Sequence, residues 1–188
     1  MLTRINFLTA GESHGRGLLG IIEGIPSGLE ISKEYIDEQL KRRQMGHGRG
    51  GRMKIENDAV EIWSGARDGK TIASPIGLIV RNKDWENWKN KMSVEKMKKT
   101  PRKVTLPRPG HADLAGVEKY GFDDIRNVLE RSSARETTMR VALASICRKL
   151  LGDIGIHVAS RVVQIHDIVD SSSVPDDMII QNLNELVD

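Results

Sequence analysis

Apolar positions gather in short runs near the start of the chain and in a longer uncharged run near residue 145, and the two textures predict different elements. "INFLTA" (5–10) and "LLGIIEGI" (18–25) read as short strands flanking a Gly-rich loop, with a turn at Pro26 to Gly28. "SKEYIDEQLKRRQMG" (32–46) reads as a helix: Ser32 is the N-cap, acids come early and bases late, and Gly46 is the stop. "GRMKIE" (51–56), "AVEIWSGA" (59–66) and "GKTIASPIGLIVRN" (69–82) predict a meander with turns at "ND" and "RDG" and an edge or bulge at Pro75. Residues 83–103 are charged and aperiodic, a solvated excursion with some helix. A short helix from about Asp123 leads into a longer one ending at Gly152, whose segment "VALASIC" (141–147) carries no charge on any face and should be buried all round. "IHVASRVVQIHDIV" (156–169) reads as a strand, and 176–188 as a helix with an unpaired apolar face. The expected fold class is α+β, a layered sandwich with buried helices between antiparallel sheets.

Composition narrows the class of protein. Hydrophobic residues at 38% and charged residues at 29% describe a folded globular chain. No run approaches the roughly 18 apolar residues of a membrane span, and the N-terminus lacks the pattern of a signal peptide. A single cysteine, Cys147, excludes an internal disulfide framework and a Cys-rich metal site. A cytoplasmic protein is expected. The net charge of +3 is unevenly spread: from Asp153 onward there are seven acids and one base, leaving residues 1–152 at +9. A basic front portion calls for an anionic partner, either a nucleic acid or a small phosphorylated or carboxylated molecule.

Four clusters could carry chemistry. In "GESHGRG" (11–17), three glycines surround Ser13, His14 and Arg16, so the backbone can approach a ligand beside anion-binding groups and a proton carrier. In "KRRQMGHGRGGRM" (41–53), 100° per residue from Ile36 places Leu40 and Arg43 within about 40° of it, and Arg42 about 120° away. Arg43 should therefore point inward and need an anion, Arg42 should face water, and Arg49 and Arg52 lie on the following flexible loop. In "PRPGHAD" (107–113), prolines stiffen a turn carrying Arg108 and His111. In "ERSSARETT" (130–138), Ser133 and Glu136 form an S-x-x-E capping box starting a helix at about Ala134, with Arg131, Ser132 and Arg135 crowding an end already suited to anions. No pair of histidines has metal-site spacing and no P-loop occurs. An Arg-Gly nucleic-acid-binding module stays open as the alternative, although aromatics are only 4% of the chain and stacking platforms are scarce.

These motifs, in this order, resemble the chorismate synthase family: "GESHGRGLLGIIEGIP" its N-terminal signature, "ERSSARETTMRVALASI" its central one, with "RRQMGHGRGGRM" and "RPGHADLAG" between them. The resemblance runs from about Thr9 to about Gly152 and implies that residues 1–188 are the N-terminal part of one such domain, without its C-terminal half and R-x-D signature. It implies a carbon–oxygen lyase of the shikimate pathway of aromatic amino-acid biosynthesis. Such an enzyme removes phosphate from C3 and a proton from C6 of 5-enolpyruvylshikimate 3-phosphate, with reduced FMN and no net redox change. NADPH is a possible reductant, the assembly a homotetramer, and the chain alone is expected to be inactive.

By the same resemblance His14 protonates the leaving phosphate and His111 the reduced flavin. Ser13, Arg43, Arg49, Arg52, Arg108 and Arg135 hold substrate. Arg43 and Arg49 also fall on positions assigned to NADP, and Arg131, Ser132 and Ser133 on flavin-binding positions. A substrate with one phosphate and two carboxylates suits charge-assisted arginine contacts.

Overall fold

In the computed structural model, which describes residues 4–45, 57–97, 99, 101–172 and 175–181, the short apolar run around residue 20 builds the centre of an antiparallel sheet. Strands β1 (Asn6–Gly11), β2 (Gly17–Glu23), β3 (Val60–Ile62) and β6 (Ile76–Arg81) lie in the order β1-β2-β6-β3. Leu18, Ile22, Val60, Ile76, Leu78 and Val80 point to one face and are buried there, while Leu19 and Ile21 point to the other and stay exposed. Helices α1 (Lys33–Gln44) and α5 (Glu136–Asp153) cover the buried face with Ile36, Leu40, Met139, Ala142, Leu143 and Ile146. Gly20 permits the close approach of α5: a Cβ there would lie 2.5 Å from Met139 Sδ and 2.9 Å from Leu143 Cδ1. The α+β class with antiparallel sheets is as expected, and the described residues supply one four-stranded sheet on one side of the helices.

Local signals hold where they are self-contained. Ser32 caps α1, its Oγ accepting from the Tyr35 N–H at 3.1 Å. The "RDG" turn is a hairpin between β4 (Ala66–Arg67) and β5 (Lys70–Thr71), with Asp68 and Gly69 at φ 51° and 70°. Gly46 and the strand expected at 51–56 lie outside the described residues.

Elsewhere context overrides pattern. The two predicted meander strands each break in two, because Gly65 and Ala73 take positive φ (82° and 59°) and turn the chain out of the sheet. Pro75 marks no edge: it immediately precedes β6, which is interior, and a missing N–H is harmless just outside the ladder. The excursion at 83–103 contains α2 (Trp85–Met92), which packs on the β1–β2 loop. A helix not foreseen, α3 (Asp113–Tyr120), follows the proline turn, and the expected short helix is α4 (Arg126–Leu129). In α5, Ala144 is exposed and Val141 and Cys147 are half-buried, so 141–147 is not covered all round by the described residues. Residues 156–169 form a two-residue ribbon, β7 (Gln164–Ile165) with β8 (Ile168–Val169), turning at His166 and Asp167, in place of one strand. Of the terminal helix, α6 (Asp176–Gln181) is described.

Candidate functional site

The Gly-rich loop leaves β1 through Gly11, whose φ of 99° and 2.4 Å approach of a would-be Cβ to the Gly17 carbonyl exclude a side chain. Asn82, buried just after β6, fastens the loop: its Nδ2 donates to the Glu12 and Gly15 carbonyls at 3.1 Å and 2.8 Å, and its N–H to the Arg16 carbonyl at 3.1 Å. Glu130, at the end of α4, fastens the tip. Its carbonyl accepts from the Ser13 N–H (3.0 Å) and its Oε2 from the His14 N–H (2.9 Å). Its two carboxylate oxygens lie 3.0 Å and 2.9 Å from His14 Nδ1. An ionised carboxylate only accepts, so Nδ1 carries a proton, and Nε2 takes no hydrogen bond from the described residues. Burial pushes the Glu130 carboxyl up, but His14 and then Arg126 outweigh it and hold it below its ordinary value.

The second histidine repeats the plan at Nδ1, but its Nε2 lies 3.2 Å from Arg108 Nη2, a donor. Asp113, fully buried at the start of α3, receives His111 Nδ1 at 2.6 Å, Arg108 Nε at 2.9 Å and the Arg108 N–H at 3.0 Å. The Arg108 hydrogen bond, opposed by burial, holds the Asp113 carboxyl well below the usual carboxylate range. Arg108 is also within electrostatic reach of Glu130, which raises its guanidinium further after Asp113. The fold thus sets His14 and His111, about a hundred residues apart in sequence, each on its own buried carboxylate.

Arg43 leaves α1 on the Ile36–Leu40 face as the helix phase requires. It meets protein groups there: the Ala134 carbonyl at 2.9 Å, Thr137 Oγ1 at 2.9 Å and Asp58 Oδ2 at 3.6 Å. Asp58, expected in a solvent turn, is instead buried as the shared counter-ion of Arg43 and Arg135, and Arg135 also gives Nε to Asn82 Oδ1 at 2.9 Å. The reason is Coulombic: two inward guanidiniums on the α1 and α5 ends need a carboxylate between them. Arg42 is half-buried and not turned fully to water, and burial followed by the neighbouring Arg148 charge lowers its guanidinium.

Arg131 reaches across to β1, donating to the Thr9 carbonyl and Oγ1 at 2.9 Å and 2.7 Å. Ser132 is exposed and Ser133 half-buried. The capping box does not close: Ser133 Oγ accepts from the Arg135 N–H at 3.2 Å, while the Glu136 carboxylate goes to Thr9 and Arg140. Thr9 on β1 and Arg140 one turn along α5 outcompete the local bond, and α5 starts at Glu136. Arg49 and Arg52 lie outside the described residues.

The assembled groups are two imidazoles backed by carboxylates and a set of guanidiniums and hydroxyls, which suits an anionic ligand and proton transfer. Arg126 Nε and Arg131 Nη1 are buried donors without a hydrogen-bond partner among the described residues, so the donor set fits a phosphate-bearing ligand or cofactor. Burial pushes the Cys147 thiol up, which disfavours its thiolate. Among the described residues no three ligating groups gather for a metal, and no helix is long and apolar enough to cross a membrane. Sequence reading missed Glu130, Asp113, Asn82, Asp58 and Trp88. Glu130 and Asp113 both stand inside motifs already singled out; Asp113, two residues from His111, had that adjacency as a signal, and Glu130, 116 positions from His14, had none. Asn82, Asp58 and Trp88 carried none.

Residues 5–188 match the family model described as chorismate synthase. Curated relatives named chorismate synthase include those of Chlorobium phaeovibrioides, 58% identical over 90% of this chain and 43% of the relative, and Enterococcus faecalis, 55% identical over 96% and 47%. A solved structure described as a crystal structure of chorismate synthase superposes with a TM-score of 0.70 at 42% identity, covering 90% of this chain and 40% of that one. The chain spans less than half the length of the curated relatives it matches.

Proposed function

This chain belongs to the chorismate synthase family, and from that premise we propose that it contributes the proton-transfer and anion-binding half of a lyase converting 5-enolpyruvylshikimate 3-phosphate to chorismate by 1,4-anti elimination. The bond from C3 to the phosphate oxygen breaks and C6 loses a proton. The observation that carries the reading is the pair of imidazoles, His14 and His111, each held through Nδ1 by a buried carboxylate. For His14 that leaves Nε2 to give up or take a proton, as a general acid on a phosphate leaving group requires, whereas His111 Nε2 lies 3.2 Å from Arg108 Nη2.

His14, on the loop whose glycines let backbone near a ligand, donates its Nε2 proton to the leaving phosphate from the doubly protonated ring and is left neutral, with the Nδ1 proton still donated to Glu130. His111 keeps a proton available at the flavin. Arg108, half-exposed beside His111, and Ser13, Arg43, Arg49, Arg52 and Arg135 serve substrate anions, with Arg43 and Arg49 also serving NADPH. In Arg43 and Arg135 that service extends an ion network already centred on Asp58. Arg131, Ser132 and Ser133 would hold reduced FMN, which lends and regains an electron when bound. Cytoplasmic location and a homotetramer belong to the same proposal.

The test is phosphate release and chorismate absorbance under anaerobic conditions with reduced FMN. A chain extended to the relatives' full length is expected to turn over and the 188 residues alone to do so negligibly. His14→Ala and His111→Ala in the longer chain should each lose about 10²-fold or more in turnover, the scale of a positioned acid. Full turnover by both variants would overturn the reading, as would tight binding of RNA or DNA that the substrate does not displace.

A further inference from the structure

His14 is held from two further directions besides its own loop. From α4, the Glu130 carboxylate takes both Nδ1 and the backbone N–H of the same residue, so ring and main chain are fixed to one rigid group. That carboxylate is itself locked. Its side chain is 1% exposed, and Oε1 also accepts from Arg126 Nη1 at 3.2 Å one helical turn earlier. From α2, the Trp88 indole stacks on the imidazole with ring centroids 3.8 Å apart and planes 25° from parallel. Trp88 is anchored in turn by Nε1 donating to Asp84 Oδ2 at 2.8 Å, and the Arg126 guanidinium and Lys91 ammonium lie 5.3 Å and 4.8 Å from its ring centroid. A histidine whose only task was to tie α4 to the loop would not need its ring plane fixed by a third element.

We propose that Glu130 and Trp88 are the positioning residues of His14: Glu130 fixes the proton on Nδ1, Trp88 fixes the plane of the ring, and Nε2 is left as the one nitrogen presented to a ligand. The proposal rests on the reading of His14 as the proton donor. Two arms of contact divide the work. The carboxylate decides which nitrogen bears the proton in the neutral ring, since an acceptor-only group at Nδ1 excludes the tautomer with Nδ1 bare. The indole decides orientation and carries no proton, so its loss should leave the tautomer alone. Positioning of this kind, by groups that are themselves held, is what separates a placed acid from a surface histidine.

The experiment is a two-bond proton–nitrogen correlation on the 188-residue chain labelled with nitrogen-15 in its imidazoles, at a pH where His14 is neutral. The native chain should show His14 with its proton on Nδ1 and Nε2 bare. In Glu130→Gln, with folding checked by circular dichroism, the population protonated on Nε2 should rise at least ten-fold. In Trp88→Leu the tautomer should be unchanged, while the His14 ring protons lose the upfield shift that a stacked indole imposes. A native His14 protonated on Nε2 overturns the proposal without any variant, so failure of a variant to fold does not protect it. So does a Glu130→Gln chain with the native tautomer balance, or a Trp88→Leu chain with native ring-proton shifts. Failure of the functional reading is separable: it would appear as full turnover in His14→Ala of the longer chain, with the tautomer still set by Glu130.

Discussion

Replacing Asn82 by alanine should loosen the histidine loop from the sheet and destabilise the chain. The side chain is 4% exposed and makes three hydrogen bonds, two as donor to the Glu12 and Gly15 carbonyls and one as acceptor from Arg135 Nε. Two neutral bonds contribute about 0.5–1.5 kcal/mol each and one to a charged group about 1.5–3 kcal/mol, a gross loss of roughly 2.5–6 kcal/mol. Water entering the vacated space recovers part of that, so a net loss of about 3 kcal/mol is expected. With a urea slope of about 2 kcal/mol/M this lowers the unfolding midpoint by about 1.5 M. Asn82→Asp separates the two roles. It keeps the acceptor for Arg135 and removes both donors, turning an oxygen toward two carbonyls. It should therefore be destabilised despite the stronger arginine contact. Urea unfolding followed by far-ultraviolet circular dichroism measures both. A midpoint shift below about 0.5 M for Asn82→Ala, or an Asn82→Asp chain as stable as the native one, would refute the idea that this residue fastens the histidine loop.

Arg43→Ala strips a partner from buried Asp58 and should cost about 2–4 kcal/mol in urea unfolding, besides weakening substrate or NADPH binding in the longer chain by roughly 1.5–3 kcal/mol in a titration. Arg42→Ala should change that binding by less than about 1 kcal/mol, and equal losses for the two would disprove the helix phase. Gly20→Ala forces a Cβ within 2.5 Å of Met139 Sδ and should destabilise by about 1–3 kcal/mol through overpacking, read as a lower thermal midpoint. Acid unfolding follows from Glu130 and Asp113, whose carboxyls are lower in the folded chain than their ordinary values of 4.5 and 3.8. Their stabilisation is present above those values and is lost as pH falls through the folded ones. Stability should therefore decline below about pH 4.5, and Asp113→Asn should make the acid limb of a urea-midpoint profile shallower.

The sequence by itself determined what depends on neighbours along the chain. The Ser32 cap, the amphipathic phase that turns Arg43 inward and the Asp68–Gly69 hairpin all follow from a period or a turn preference acting within a few residues. The motifs also marked which loops carry histidines and arginines. Only the tertiary structure decided what those side chains touch. Glu130 meets His14 across 116 positions and Arg135 meets Asp58 across 77, and neither pairing leaves a trace in local spacing. The Ser133 capping box failed in part for the same cause, because Glu136 found Thr9 across 127 positions as well as Arg140 one turn along its own helix. A buried charge is satisfied by whatever opposite group the packing of helices on a sheet delivers, and that delivery is settled by the whole core.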